Sequence, residues 1–169
     1  QTSARLPWLI IGMLGGIGNS MILGNFDSTF AAHPEMALYI PLIGGTGGNV
    51  GTQSSAIIVQ GLANSSLDAK NTFKQITKES VVALINATII SLLVYTYNFI
   101  RFGATATVTY SVSISLFAVV MFASIFGTLV PMTLEKFKID PAIATGPFIA
   151  ITNDIIGMML YMGITVLLS

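Results

Sequence analysis

Three adjacent oxygen-bearing side chains interrupt a long apolar stretch near the end of this 169-residue chain. Thr152, Asn153 and Asp154 fall inside the segment DPAIATGPFIAITNDIIGMMLYMGITVLLS, which has no Lys or Arg. A carboxylate at membrane depth is costly unless water or a partner reaches it. We therefore predict that Asp154 is either protonated or balanced by a cation from outside the chain.

A second cluster of polar positions lies in the segment PLIGGTGGNVGTQSSAIIVQGLA. Asn49 and Gln53 are four residues apart, so on a helix they share one face. Five glycines stand between Pro41 and Gln53, and each costs about 1 kcal/mol relative to Ala inside a helix. We predict that the helix loosens or breaks there, with amides and free backbone carbonyls lining a path for a hydrated cation.

The composition indicates an integral membrane protein. Charged residues make up 8% of the chain, apolar residues 53%, and the mean hydropathy is +0.82. A soluble domain carries about a quarter charged residues. The zero net charge argues against nucleic-acid binding, and the absence of Cys excludes disulfides and thiolate metal sites. Because the sequence starts at Gln1 with no cleavable signal, we expect a fragment or processed form whose soluble domains precede it.

Five apolar runs are long enough to cross a bilayer about 30 Å thick. The predicted spans are residues 7–23, 36–63, 81–99, 108–134 and 141–168. Asp140 and Pro141 fit the start of the fifth helix, which would place Asp154 about 20 Å along its axis. The glycines of the first span are interpreted as close-packing positions.

Basic residues predict the orientation. Five crossings place six of them on one side: Arg5, Lys70, Lys74, Lys78, Lys136 and Lys138. Arg101 is alone on the other side. The N-terminus is therefore expected in the cytoplasm and the C-terminus outside the cell. His33, in the loop between the first two spans, is interpreted as a surface residue and not as a metal ligand.

These motifs resemble the MgtE family of magnesium channels. The resemblance is carried by RLPWL at residues 5–9, by the GGNxGxQ pattern within residues 41–63, and by the DPA…GP…D spacing that ends at Asp154. It covers nearly the whole chain. It implies an all-α membrane domain over residues 1–169, five helices per protomer, and a homodimer with a pore on its two-fold axis. Cytoplasmic regulatory domains would precede this region.

The resemblance also implies a metal site. Asp154 would hold the ion, helped by the carbonyls of Gly45 and Ala150 and by Asn49. The pore lining is predicted to include Gly48, Gln53, Gly146 and Asn153. Mg²⁺ gives up its water reluctantly, so the pore should hold the hydrated ion. Two Asp154 copies would balance one divalent charge. Mn²⁺, Co²⁺ or Ca²⁺ could use the same site.

Other functions stay open. A secondary transporter could couple a divalent cation to H⁺ or Na⁺, with Asp154 cycling its proton. An intramembrane enzyme finds little support, because the chain has one His, no Cys and one carboxylate at membrane depth. A structural subunit of a larger membrane complex is a further alternative. The sequence therefore favours a non-enzymatic divalent-cation channel in the cell membrane.

Overall fold

The computed structural model describes residues 1–144 and 146–169 of the protein, and across these two ranges it contains helices and turns but no strand. The α-helices in these ranges are α1 Thr2–Gly24, α2 Asp27–Ala32, α3 Ile40–Ala63, α4 Thr72–Phe102, α5 Thr107–Lys136 and α6 Pro147–Leu168. Three short 3₁₀ helices precede α3, α4 and α6: Pro34–Tyr39, Ala69–Asn71 and Pro141–Ala144. The predicted all-α class is confirmed.

Four helices in the described part of the chain, α1, α4, α5 and α6, are long and apolar enough to cross a membrane. The protein is therefore a multi-pass membrane protein. Helix α3 has 24 residues, a length of about 36 Å that would also span a bilayer. Its glycines and polar side chains make it less apolar than the other four.

Helix α5 is the centre of the bundle. It packs against α3, α4 and α6, and Val112, Leu116 and Val119 lie in the buried core that it shares with them. Helix α1 lies at the periphery, where it packs along α6, and none of its residues is fully buried. The exposed side chains of α1 and α4 are largely apolar, as expected for surfaces in contact with lipid.

Buried hydrogen bonds fix one end of the bundle. The Tyr161 hydroxyl on α6 donates to the carbonyl of Met36 at 2.7 Å. The Tyr39 hydroxyl, just before α3, donates to Oδ1 of Asn98 on α4. Buried tyrosines need such partners for their hydroxyl groups. These bonds tie the start of α3 to the ends of α4 and α6.

Basic side chains gather at the opposite end. Lys70, Lys136 and Lys138 line one cavity of about 510 Å³ between the α3–α4 connection and the end of α5. Three of the six basic residues that the sequence assigns to one side thus lie together. These three lysines therefore lie at the same end of the bundle.

The predicted break in the glycine-rich helix is wrong. Helix α3 runs without interruption from Ile40 to Ala63. Its glycines are compensated by close packing: a Cβ on Gly47 would lie 2.9 Å from Cγ1 of Val119, and one on Gly51 would overlap the Asn153 amide. An unbroken helix also hydrogen-bonds its own backbone groups. This favours it in a membrane, because hydrocarbon offers those groups no hydrogen-bond partners.

The predicted start of the last helix is also wrong. Asp140 accepts the N–H of Ala142 at 3.0 Å, but it caps the 3₁₀ turn and not the long helix. Gly146, with φ of 89°, then reorients the chain, and α6 begins at Pro147. Few residues other than Gly adopt this φ. Asp154 is consequently the eighth residue of α6, about 10 Å along its axis and not about 20 Å.

Candidate cation pathway beside Asp154

The Asp154 carboxylate lies over two glycines of α3. A Cβ placed on Gly44 would stand 3.6 Å from Asp154 Oδ1, and one placed on Gly48 would stand 3.8 Å from the same oxygen. The glycines are one helical turn apart, so their bare backbone forms a shallow groove. Asp154 itself is half-buried in the protomer. Its charge therefore faces the α3 surface instead of the interior.

An exposed polar face continues along α3 from this groove. Gly45, Asn49 and Gln53 are all exposed, and they recur at the four-residue spacing of one helix face. Thr52 and Gln60 are exposed on the same helix. Amide groups that face hydrocarbon would lose their hydrogen bonds at high cost. This face, which we call the α3 polar face, therefore requires water or protein against it.

Two predicted site residues on α6 lie just before Asp154. Ala150 precedes it by one turn and is half-buried, and its N–H donates to the carbonyl of Gly146 at 3.1 Å. Gly146 is also half-buried, and a Cβ there would find no atom within 4 Å. Among the described residues outside its immediate chain neighbours, none therefore fills the space that a side chain at Gly146 would occupy. Because α3 and α6 are regular helices, the carbonyls of Gly45 and Ala150 already accept one backbone N–H each and keep one lone pair.

The Asn153 side chain, on α6, does not lie beside the α3 polar face. Its side chain is buried and packs against Gly51, between α3 and α5. Within the described residues, neither Oδ1 nor Nδ2 of this amide has a hydrogen-bond partner. Adjacent residues on a helix point about 100° apart, so Asp154 and Asn153 face different neighbours. The structure thus separates two residues that the sequence groups together.

Asn19 lies near Asp154 but was not selected from the sequence. It lines a cavity of about 70 Å³ between α1 and α6, together with Asp154, Ile151 and three glycines of α1. The sequence did offer one indication of Asn19, because its amide side chain lies within the apolar run of the first predicted span. Gly15 does serve close packing, because a Cβ there would overlap the Ile151 side chain.

One protomer lacks the acids for a complete metal cage. Over residues 1–144 and 146–169, no group of three His, Asp or Glu side chains comes close enough to hold a metal. A site built from one carboxylate, neutral amides and backbone carbonyls would bind a cation through water more readily than directly. That arrangement suits an ion that keeps its first hydration shell.

Comparison with known proteins identifies one family. The family model MgtE, described as a divalent cation transporter, matches residues 40–164. The magnesium transporter MgtE of Bacillus subtilis is 33% identical over 160 residues, which are 95% of this chain and 35% of the relative.

Two further relatives are similar over nearly the whole chain. The magnesium transporter MgtE of Thermus thermophilus is 33% identical over 165 residues, covering 98% of this chain and 36% of the relative. The magnesium transporter MgtE of Enterococcus faecalis is 30% identical over 165 residues, which are 96% of this chain and 36% of the relative. The chain thus spans about a third of the length of these relatives.

Proposed function

This chain belongs to the MgtE family of divalent cation transporters, and from that premise we propose that it forms the membrane pore of a channel for hydrated Mg²⁺. The observation that carries the proposal is the α3 polar face beside Asp154. Elsewhere, exposed surfaces such as those of α1 and α4 are largely apolar. A polar face next to a carboxylate is tolerated within a bilayer if it lines a water-filled path, because water then hydrogen-bonds the polar groups.

The pore requires two copies of the chain. One protomer brings a single carboxylate, that of Asp154, to the groove at Gly44 and Gly48, whereas a divalent ion carries two charges. A two-fold axis beside the α3 polar face would bring two Asp154 carboxylates to one ion and cover both polar faces at once. Helix α3 would then be the fifth crossing, since its polar residues would face water in the pore and not lipid.

The ion is held through its own water. Mg²⁺ prefers octahedral oxygen coordination and dehydrates reluctantly, so acceptors spaced around a wider opening suit it best. Asn49 and Gln53 supply amide oxygens, and Gly45 and Ala150 supply carbonyl lone pairs. Asp154 supplies the charge. Mn²⁺, Co²⁺ and Ca²⁺ satisfy the same charge requirement and are proposed as competing ions.

Small residues leave room for the hydrated ion. Gly48 keeps α3 clear in front of the Asp154 carboxylate, and Gly146 keeps the entrance to α6 clear. The lysine-rich end of the bundle is proposed to face the cytoplasm, so that α1 starts there and α6 ends outside the cell membrane. Cations would leave the path at that end.

Neutralising the carboxylate tests the proposal. Asp154→Asn keeps the size of the side chain and removes its charge. We expect Mg²⁺ binding, measured by isothermal titration, and Mg²⁺ flux into liposomes to be lost. Asp27→Asn removes an acid from the exposed connection after α1 and should change neither. Unchanged binding and flux in Asp154→Asn would refute the pore site.

The same liposomes separate a channel from a coupled transporter. Flux through a channel follows the membrane potential and the Mg²⁺ gradient alone. A proton or sodium gradient imposed at fixed potential should therefore leave the flux unchanged. Uphill Mg²⁺ accumulation driven by either gradient would identify a secondary transporter instead.

A further inference from the structure

Asp154 also lines a space between α1 and α6 that no α3 residue lines. Between α1 and α6 there is a cavity of about 70 Å³, lined by Asp154, Asn19, Ile151, Gly12, Gly15 and Gly16. An ordered water needs roughly 10–15 Å³ of such space. The cavity, which we call the α1–α6 pocket, therefore has room for more than one water.

Asn19 and Asp154 both line the pocket, and each side chain brings at least one hydrogen-bond acceptor. Oδ1 of Asn19 is buried, and in the described part of the chain it has no hydrogen-bond partner. An ionised Asp154 can only accept. A buried acceptor without a donor destabilises the folded protein. A water molecule between the two side chains would satisfy both, because it can donate one proton to each.

Packing holds the two helices at the separation that creates this pocket. A Cβ on Gly15 would overlap Ile151, so the helices are in contact there and cannot approach further to close the space. At Gly12 and Gly16, by contrast, a Cβ would meet no atom within 4 Å. The pocket is therefore the opening left beside a tight contact.

We propose that the α1–α6 pocket holds ordered water through which Asn19 orients the Asp154 carboxylate toward the pore. Asn19 is then a positioning residue for the ion site and does not itself contact the ion. The proposal rests on the proposed function, because it assumes that Asp154 binds the cation. It assigns a role in ion binding to α1, a helix that packs at the periphery.

Two substitutions at position 19 test this role. Asn19→Leu fills the pocket with an apolar group of similar size, while Asn19→Ser keeps a hydroxyl that can donate and accept. We expect Asn19→Leu to weaken Mg²⁺ binding roughly tenfold, as for a lost hydrogen bond to a charged group. Asn19→Ser should stay within about twofold of the wild type. Ser20→Ala, which removes an exposed hydroxyl bonded within its own helix, should have no effect.

The measurement is an isothermal Mg²⁺ titration of the purified protein, with thermal unfolding in the absence of Mg²⁺ as the check on folding. Weaker binding by Asn19→Leu at unchanged thermal stability, with recovery in Asn19→Ser, supports the proposal. Equal affinity in Asn19→Leu and the wild type would overturn it. If Asp154→Asn still bound Mg²⁺, the proposed function itself would fail, whatever position 19 did.

A cation in the pocket is the competing occupant, and the same titrations distinguish it. They are repeated with choline in place of Na⁺. A water-filled pocket predicts that the difference between Asn19→Leu and the wild type stays the same in both salts. A difference that disappears without Na⁺ would assign the pocket to a sodium ion and overturn the water-mediated role.

Discussion

The side-chain amide of Asn153 lies against the backbone of Gly51, in the volume that any side chain at position 51 would occupy. Across the same contact, a Cβ on Gly127 of α5 would lie 2.7 Å from the carbonyl oxygen of Gly51. Helices α3, α5 and α6 therefore meet around one glycine. This junction sets the rotation of α3, and hence which of its residues form the polar face.

The junction predicts that Gly51→Ala destabilises the protein. The added methyl group would overlap the Asn153 amide, and overpacking of this kind costs about 1–3 kcal/mol. Thermal unfolding in detergent should show a lower midpoint. Gly163→Ala is the matched control, because a Cβ at Gly163 meets no atom within 4 Å. A Gly51→Ala midpoint at or above that of the control would contradict the packing described here.

Asn49 tests the α3 polar face independently of charge. Asn49→Leu keeps the size of the side chain but removes the amide that would contact the water shell of the ion. We expect Mg²⁺ flux to fall roughly tenfold, as for a lost hydrogen bond to a charged species. The change is measured by liposome flux at fixed potential. Ile57→Leu, at an exposed apolar position on the same helix, should conduct like the wild type; equal flux in both variants would remove Asn49 from the pathway.

Cross-linking tests the two-fold arrangement. The chain has no cysteine, so a single introduced thiol reports on one position. If a two-fold axis runs beside the α3 polar face, as proposed, residue 53 would lie near its own copy. Gln53→Cys should form dimers with a short bismaleimide in native membranes, as seen on denaturing gels. Leu92→Cys, on the exposed apolar surface of α4, should remain monomeric. The reverse pattern would place the interface elsewhere.

Thiol labelling tests the orientation. Lys138 lies at the lysine-rich end, and Arg101 lies at the end of α4 on the other side of the bundle. Because basic residues concentrate on the cytoplasmic side, we expect an impermeant maleimide to label Arg101→Cys in intact cells. Lys138→Cys should react only after the membrane is opened. Labelling of Lys138→Cys in intact cells would invert the topology.

Several features of the protein were predictable from its sequence. The low charge and high hydropathy predicted a helical membrane protein, because lipid excludes both ionised surfaces and unpaired strands. Asp154 was identifiable because a lone carboxylate in an apolar run is costly. The glycine-rich and DPA…GP…D motifs predicted the family, which the comparisons confirm.

Local rules failed where packing opposed them. Helix propensity predicted a break in α3, but contacts of Gly47 with Val119 and of Gly51 with Asn153 hold the helix together. Capping rules placed the start of the last helix at Pro141. The positive φ of Gly146 moves it to Pro147, and Asp154 moves with it.

The sequence alone determined which residues carry unusual chemistry and that they lie in a membrane, since both follow from the cost of polar groups in hydrocarbon. The tertiary structure decided which way they face. It directs Asp154 to α3, buries Asn153 at the Gly51 junction, and brings Asn19 to a cavity that Asp154 also lines. Sequence spacing gives positions along one helix, whereas contact between helices fixes each helix's rotation, and that rotation determines which side chains share a site.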